Sequence, residues 1–463
     1  MLPMKKKLHT ITFGFLLAAV LLPACKKDFL DVRPNKSLLV PTTLADLRLL
    51  LDNNLIFNIR PNLTSIADGN YYTTDAGYNS FGLDAERNSY TWAKDIFGTA
   101  TTGEWNTPYK QVFYANVVLE GAAKLPAGDA ASEEGRALKG TALFSRAFAC
   151  YSLVTSFAKP YDAATAQSDP GIPVRLHSDV TEKVGRGTVA QTYAQILADL
   201  AAARPLLPAT AAVKTRPTLA ALFALEARIA LAMEDYPRAG RYADSALAAA
   251  HTLIDYNTLN PADAKPFPVA LPNANPEILF YAALVTLTFD GSSSATYADR
   301  DVYDTYAADD LRKTLFFREM TPGNYKFKGT YSGAQAIFGG LATDEVYLIR
   351  AECRARAGDA PGAMADLNTL LVTRWKTGSF TPYTATDTDD ALRKVLTERR
   401  KELFGRNLRW EDLRRLNRDP RFRVTLNRTI KGQAYTLEPG SSRYVYPIPD
   451  QEIKLNGLEQ NER

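Results

Sequence analysis

Residues 217–250 read PTLAALFALEARIALAMEDYPRAGRYADSALAAA, and residues 344–372 read DEVYLIRAECRARAGDAPGAMADLNTLLV. In the first stretch Phe223, Ala227 and Ala230 mark one helix, Asp235-Tyr236 the turn, and Ala239, Ala243 and Ala246 the next helix. In the second, Tyr347 and Ala351 mark one helix, Gly358-Asp359 the turn, and Ala363, Leu367 and Leu370 the next. Phe223 aligns with Tyr347, Ala227 with Ala351, Ala239 with Ala363 and Ala246 with Leu370, with the turn at the same offset. Small residues at these places let two antiparallel helices approach closely, and an aromatic one turn away fills the wedge between neighbouring pairs. This spacing is that of a tetratricopeptide-like repeat. The fold class it predicts is mainly all-α, a helical-repeat scaffold with loop-rich inserts and at most short β-hairpins.

Outward from the repeats, helical periodicity covers roughly Glu104–Lys124, Ser132–Phe157, Val189–Arg204, Thr388–Arg406 and Arg409–Leu416. Two stretches differ. Residues 255–340 contain Pro261, Pro266, Pro268, Pro272, Pro276 and Pro322 and the run Asp290-Gly291-Ser292-Ser293-Ser294, without sustained periodicity. Residues 60–103 carry Tyr71, Tyr72, Tyr78, Tyr90 and Trp92 among Asn, Asp, Thr and Gly. Both read as irregular inserts displayed by the helical scaffold, with a short hairpin expected within Ile278–Phe289. Cys150 and Cys353 fall inside apolar helical patterns and read as small core residues.

The N-terminus has the layout of a lipoprotein export signal. Lys5, Lys6 and Lys7 precede an apolar run from Leu8 to Leu22, and Leu22-Pro23-Ala24-Cys25 follows. Residues 1–24 are expected to be removed, leaving Cys25 as the lipidated first residue of a mature domain spanning 25–463. The formal net charge of the chain is +4. Three of those positive charges are Lys5, Lys6 and Lys7, so the mature chain is close to neutral and lacks the large basic field that nucleic-acid binding requires.

The inventory of reactive side chains is thin. The chain has three histidines, of which His9 lies in the leader, so neither a histidine metal cluster nor a Ser/His or Cys/His catalytic arrangement is expected. No glycine-rich phosphate loop appears. Glu398 with Glu402, and Glu411 with Asp412, stand among Arg399, Arg400, Lys401, Arg409, Arg414 and Arg415, which reads as an ion-pair network rather than a catalytic dyad. The expectation is a non-enzymatic chain with no cofactor and no metal. Aromatic rings stack on the faces of sugars and on peptide side chains. The ligand-binding candidates are therefore Tyr71, Tyr72, Tyr78 and Trp92 in one insert and Tyr297, Tyr303 and Tyr306 in the other.

Several strings in order resemble the SusD/RagB family of nutrient-uptake outer-membrane lipoproteins. They are Cys25-Lys26-Lys27-Asp28-Phe29-Leu30-Asp31 with Pro34; Arg146-Ala147-Phe148 with Tyr151; Gly171-Ile172-Pro173; and Asp344-Glu345 through Arg350, Ala351 and Glu352. Further on stand Gly358-Asp359, Asp366-Leu367-Asn368, Glu398-Arg399-Arg400, Arg409-Trp410-Glu411-Asp412-Leu413 and the closing Tyr446-Pro447-Ile448-Pro449. Leu371-Val372-Thr373-Arg374-Trp375 departs from the Arg-rich stretch usual in the family. The resemblance implies a surface-exposed, lipid-anchored protein of the outer membrane. Such a protein captures oligosaccharides or peptides and serves as a lid on a SusC/RagA-like TonB-dependent barrel transporter. No binding residue carries over by motif. The alternatives are a surface hydrolase using loop carboxylates such as Asp68, Asp75 and Asp84, or a periplasmic tetratricopeptide adaptor.

Overall fold

The turns of the two repeats show why these residues form helix pairs. In the computed structural model, which describes residues 41–100, 102–293 and 295–463, the first repeat folds as α5 (Leu219–Ala232) and α6 (Tyr236–Ala249). The second folds as α7 (Thr343–Arg356) and α8 (Ala360–Leu371). Each first helix ends on a left-handed residue, Glu234 at φ 59° and Gly358 at φ 91°. The next amide then reaches back to satisfy an orphan carbonyl, Asp235 N to Ala230 O and Asp359 N to Arg354 O, both 2.9 Å. The same aspartates cap the second helices by accepting from Arg238 N and Gly362 N, with Pro237 and Pro361 in the first turn. One turn design is thus used twice.

Ala227, Ala230, Ala239, Ala243 and Ala246 are buried, as are Ala351, Ala355 and Ala363. Helix α6 packs on α7 although the whole 255–340 segment intervenes in sequence. Among the described residues, four more helices of eight residues or longer precede the repeats in the chain: α1 (Leu44–Leu51), α2 (Gly103–Ala122), α3 (Glu133–Phe157) and α4 (Val189–Ala203). Two of that length follow them, α9 (Thr388–Glu402) and α10 (Arg409–Leu416). Buried arginines cross-link neighbouring helices. Arg146 on α3 pairs with Asp199 on α4 at 2.6 Å, Arg228 on α5 with Glu345 on α7 at 2.5 Å, and Arg415 on α10 with Glu352 on α7 at 2.6 Å. Cys150 and Cys353 are both free and buried.

Among the described residues the sheet structure amounts to five two-stranded pairs. Strands β1 (Ile59–Arg60) and β4 (Ala283–Leu284) pair in parallel. Antiparallel pairs join β2 (Tyr71–Thr73) to β5 (Thr296–Ala298) and β3 (Ile278–Phe280) to β8 (Leu341–Ala342). Two hairpins, β6 (Phe317–Thr321) with β7 (Asn324–Phe327) and β9 (Leu426–Ile430) with β10 (Gln433–Leu437), complete the set. The hairpin expected within Ile278–Phe289 does not form. Its two halves pair with partners distant in sequence, because Ile278, Phe280, Ala283 and Leu284 are all buried and a strand hidden on both faces is placed by packing, not by its own turn. The Lys5–Cys25 leader lies outside the described residues.

Candidate functional site

The β2–β5 pairing joins the two aromatic-rich inserts. Tyr72 stands directly opposite Tyr297 in the ladder, with ring centroids 5.5 Å apart. Further contacts hold the inserts together. The Thr73 hydroxyl donates to Ala295 O at 2.7 Å, and the Glu86 carboxylate accepts from the amides of Thr288 and Phe289 at 3.0 and 3.1 Å. The β6–β7 hairpin packs beside β5. Its Asn324 Oδ1 accepts from the Tyr72 hydroxyl, and its Tyr325 ring stacks on Tyr303 at 3.6 Å and 11°. Arg300 lies over this stack, 5.6 Å from the Tyr325 centroid, and donates to Gly323 O at 2.9 Å in the hairpin turn.

The seven aromatic candidates divide into two groups. Trp92 is 1% exposed and its indole N–H donates to Ala67 O at 3.0 Å. Tyr306, also 1% exposed, donates to Lys401 O at 2.8 Å, and Tyr71, 5% exposed, lies edge-on between Phe289 and Phe404. These three rings belong to the core: each buries a large apolar face and pairs its polar tip or edge inside the protein. Tyr303 is covered by Tyr325. Tyr72 and Tyr78 are half-buried, and Tyr297 is 9% exposed at the edge of the pair. Tyr72, Tyr297 and Tyr303 come together with Tyr325, while Tyr78 packs on Phe81 and Tyr90 instead.

The β6–β7 hairpin also walls a cleft of about 880 Å³, closed by residues 261–265, residues 284–290 and residues 335–337 and lined by none of these rings. Arg318, Lys326, Lys328 and Lys265 line it. Sequence periodicity alone missed Asn324, Tyr325 and these cations. A usable signal was present in Thr321-Pro322-Gly323-Asn324, a Pro-Gly turn flanked by alternating residues, with Gly323 at φ 80° as the third position of such a turn requires.

The carboxylates are engaged elsewhere. Arg312 binds Asp310, Glu398 and Glu402; Arg374 binds Glu402 and Glu277; and Lys401 binds Asp310 and Glu398, all within 3.0 Å and all buried. Burial works against the Asp310 carboxylate, but Arg312 and Lys401 outweigh it and hold its pKa below the ordinary value. Glu411 accepts from the Tyr151 hydroxyl at 2.6 Å, and Asp412 pairs with Arg399 and Arg415. Of the loop carboxylates, Asp68 accepts from Asn70 N, Asp75 from Lys431 N, and Asp84 pairs with Arg87. No group of three or more His, Cys, Asp or Glu suited to a metal ion occurs among the described residues, and no described helix is long and apolar enough to cross a membrane.

A stack of helix pairs carrying two loop segments fastened into one rim defines a helical-repeat display scaffold. Residues 28–231 match the family model described as starch-binding associating with outer membrane, and residues 343–463 match the SusD family model. The chain belongs to the SusD/RagB family. It is similar to a SusD superfamily protein from Bacteroides vulgatus, with 20% identity, TM-score 0.72, and coverage of 90% of this chain and 98% of that one. A SusD superfamily protein from Bacteroides thetaiotaomicron shares 21% identity at TM-score 0.69, covering 91% and 100%. A SusD-like carbohydrate binding protein from Bacteroides vulgatus shares 20% at TM-score 0.68, covering 90% and 97%. No curated protein matches the chain.

Proposed function

We propose that this chain is a lipid-anchored, surface-exposed protein of the outer membrane that captures oligosaccharides without cleaving them and passes them to a SusC/RagA-like TonB-dependent transporter. The observation that carries the reading is the β2–β5 pairing, which sets the half-buried Tyr72 ring at a rim shared by both inserts, and the hairpin that holds Asn324 against Tyr72 also walls a cleft large enough for a few sugar units. An aromatic face at such a rim stacks on a pyranose ring, and Asn324 and Arg300 beside it supply directional hydrogen bonds. The leader ending at Cys25 supports the lipid anchor, and the outer-membrane association of the family supports the location. The mature domain is 25–463, and the 60–103 and 255–340 inserts form its ligand-facing part.

Calorimetric titration of the purified protein with oligosaccharide panels tests this. Removing the Tyr72 ring (Tyr72→Ala) is expected to lower affinity by about tenfold, since stacking on an aromatic platform contributes on the order of 1–3 kcal/mol, while the melting temperature holds. Tyr72→Phe, which loses only the hydroxyl bond to Asn324, should bind more tightly than Tyr72→Ala. Release of shortened products during the titration would point to the hydrolase alternative. Unchanged affinity in both Tyr72→Ala and Tyr297→Ala would move the site away from this rim.

A further inference from the structure

Helix α2 turns three aromatic rings to one side. Trp105, Tyr109 and Phe113 stand four residues apart, so successive turns bring them to the same helix face. They line a pocket of about 320 Å³. Trp105 is the most buried of the three, 3% exposed and held edge-on against Phe157 at 5.0 Å. Tyr109, whose ring lies 4.7 Å from that of Trp105, and Phe113 are half-buried. Pro173, Val184 and Leu458 add apolar surface. The pocket shares no lining residue with the 880 Å³ cleft and contains none of the Tyr72 rim.

The loop that walls this pocket is pinned to α2 by α2's own side chains. The Tyr109 hydroxyl donates to Pro173 O at 2.9 Å, the buried Asn116 amide donates to Arg175 O and His177 O at 3.1 and 3.0 Å, and the Glu120 carboxylate accepts from Ser178 N at 2.7 Å. The Arg175 guanidinium is engaged within the loop, donating to Glu182 O at 2.7 Å and Asp179 O at 3.3 Å, and His177 Nδ1 lies 3.4 Å from the Glu182 carboxylate. On another side a short helix, α11 (Asp450–Asn456), contributes Glu452 and Asn456. Asn456 Nδ2 donates to Glu452 Oε2 at 3.0 Å, which leaves Glu452 Oε1 and Asn456 Oδ1 without a partner among the described residues. The exposed side-chain amide of Asn106, next to Trp105, has none among them either. An apolar floor, a fixed wall and three unengaged polar groups are the features of a small-ligand site.

We infer that this pocket is a second saccharide site, separate from the Tyr72 rim, which takes a neutral mono- or disaccharide unit. This rests on the glycan-capture reading above and adds a contact for the same class of ligand. The half-buried faces of Tyr109 and Phe113 suit the apolar face of a sugar ring. A carboxylate only accepts and a side-chain amide both donates and accepts, so Glu452, Asn456 and Asn106 together match sugar hydroxyls, which do both. The volume lies near the lower end of ligand pockets, roughly 300–1,000 Å³, which suits a short saccharide. Uronates and sulfated sugars are disfavoured because the pocket presents the Glu452 and Asp179 carboxylates, while its arginine is already bound to loop carbonyls.

The experiment is calorimetric titration of the purified Tyr72→Ala variant, which lacks the rim ring, with maltose, cellobiose and digalacturonate. The expected result is that at least one neutral disaccharide still binds and that digalacturonate binds at least tenfold more weakly. Adding Asn106→Ala and Glu452→Gln to that variant is expected to weaken the neutral disaccharide by about tenfold or more. Should the triple variant melt differently from Tyr72→Ala, the indole N–H resonance of Trp105 decides: in the unaltered protein it is expected to shift as the disaccharide is added, and a resonance that stays still overturns the inference. Undiminished binding by a normally melting triple variant also overturns it, and digalacturonate bound as tightly as the neutral sugars overturns the ligand class. If Tyr72→Ala binds neither neutral disaccharide while the parent binds longer oligosaccharides, the second site is refuted and capture at the rim stands. If the parent binds no saccharide of any length, both readings fall.

Discussion

Trp92 shows how a residue's type and its setting divide the work. Its backbone sits at φ 51°, its indole is enclosed, and the Arg428 guanidinium lies 4.5 Å from the ring. Trp92→Ala is expected to destabilise the protein by about 3–5 kcal/mol, read as a shift in the urea midpoint, and any loss of binding should track loss of fold. Asp68 makes a second residue-level case. Burial pushes its carboxyl up to about 7, against the pull of the Asn70 amide and the Arg409, Arg428 and Arg400 charges, and burial does the same to Glu104. An acid whose pKa is raised by folding keeps its proton in the native state where the unfolded chain has lost it. Its contribution therefore falls as pH rises from about 4 to about 7. Asp68→Asn retains an acceptor for Asn70 N and removes the ionisation. The variant is expected to match the parent near pH 5 and to melt higher near pH 8. A parent that melts higher at pH 8 would mean the three arginines win.

Among the elements, the helix pairs depend on their small residues. Ala227 and Ala351 are wholly enclosed at equivalent places in the two repeats, and the Gly240 backbone on α6 comes close to Cys353 on α7, where an added methyl group would lie 3.4 Å from the cysteine Cβ. Enlarging either alanine (Ala227→Leu or Ala351→Leu) is expected to cost about 1–3 kcal/mol by overpacking, measured by chemical denaturation. Both variants melting with the parent would refute the close-packed reading. The turn between the helices behaves differently at its two occurrences. Gly358 adopts φ 91° freely, whereas Glu234 holds a left-handed conformation that L side chains rarely adopt. The Pro-Gly turn of β6–β7 belongs to the same class of local signal.

At the scale of the molecule, buried charge ties the 255–340 segment to the second repeat and to α9. Arg374 is the hub, donating to Glu402 at 2.7 Å, Glu277 at 2.8 Å and Ile254 O at 2.8 Å with no solvent exposure. Replacing it by an apolar residue (Arg374→Met) leaves the buried Glu277 without its ion-pair partner and Glu402 with Arg312 alone, and is expected to cost about 3–5 kcal/mol in the denaturant midpoint. Arg374→Lys should recover only part, because an ammonium lacks the planar fork that reaches both carboxylates. Full recovery by lysine would show that only the charge matters there. Arg374 falls within the stretch where the sequence departs from the Arg-rich family pattern, and it joins Arg312 and Lys401 in the same network.

The helical scaffold was legible in the chain itself because its causes are local: the spacing of small and apolar residues, the Asp caps and the turn after each first helix act within a few residues of one another. The boundaries of α3, α4 and α10 could be read for the same reason. The charged runs around Glu398 and Asp412 could also be read as ion pairs, since their composition left them few other partners. The rim and the cleft could not be read, because they depend on which distant segments meet. Tyr72 faces Tyr297 only through the β2–β5 ladder, and Arg318, Lys326 and Lys328 share one wall only because Phe317 and Phe327 are claimed by the core. Aromatic density marked the two segments that the β2–β5 pair joins, but burial, a property of the assembled chain, drew Trp92, Tyr71 and Tyr306 inward and left Tyr72 half-buried.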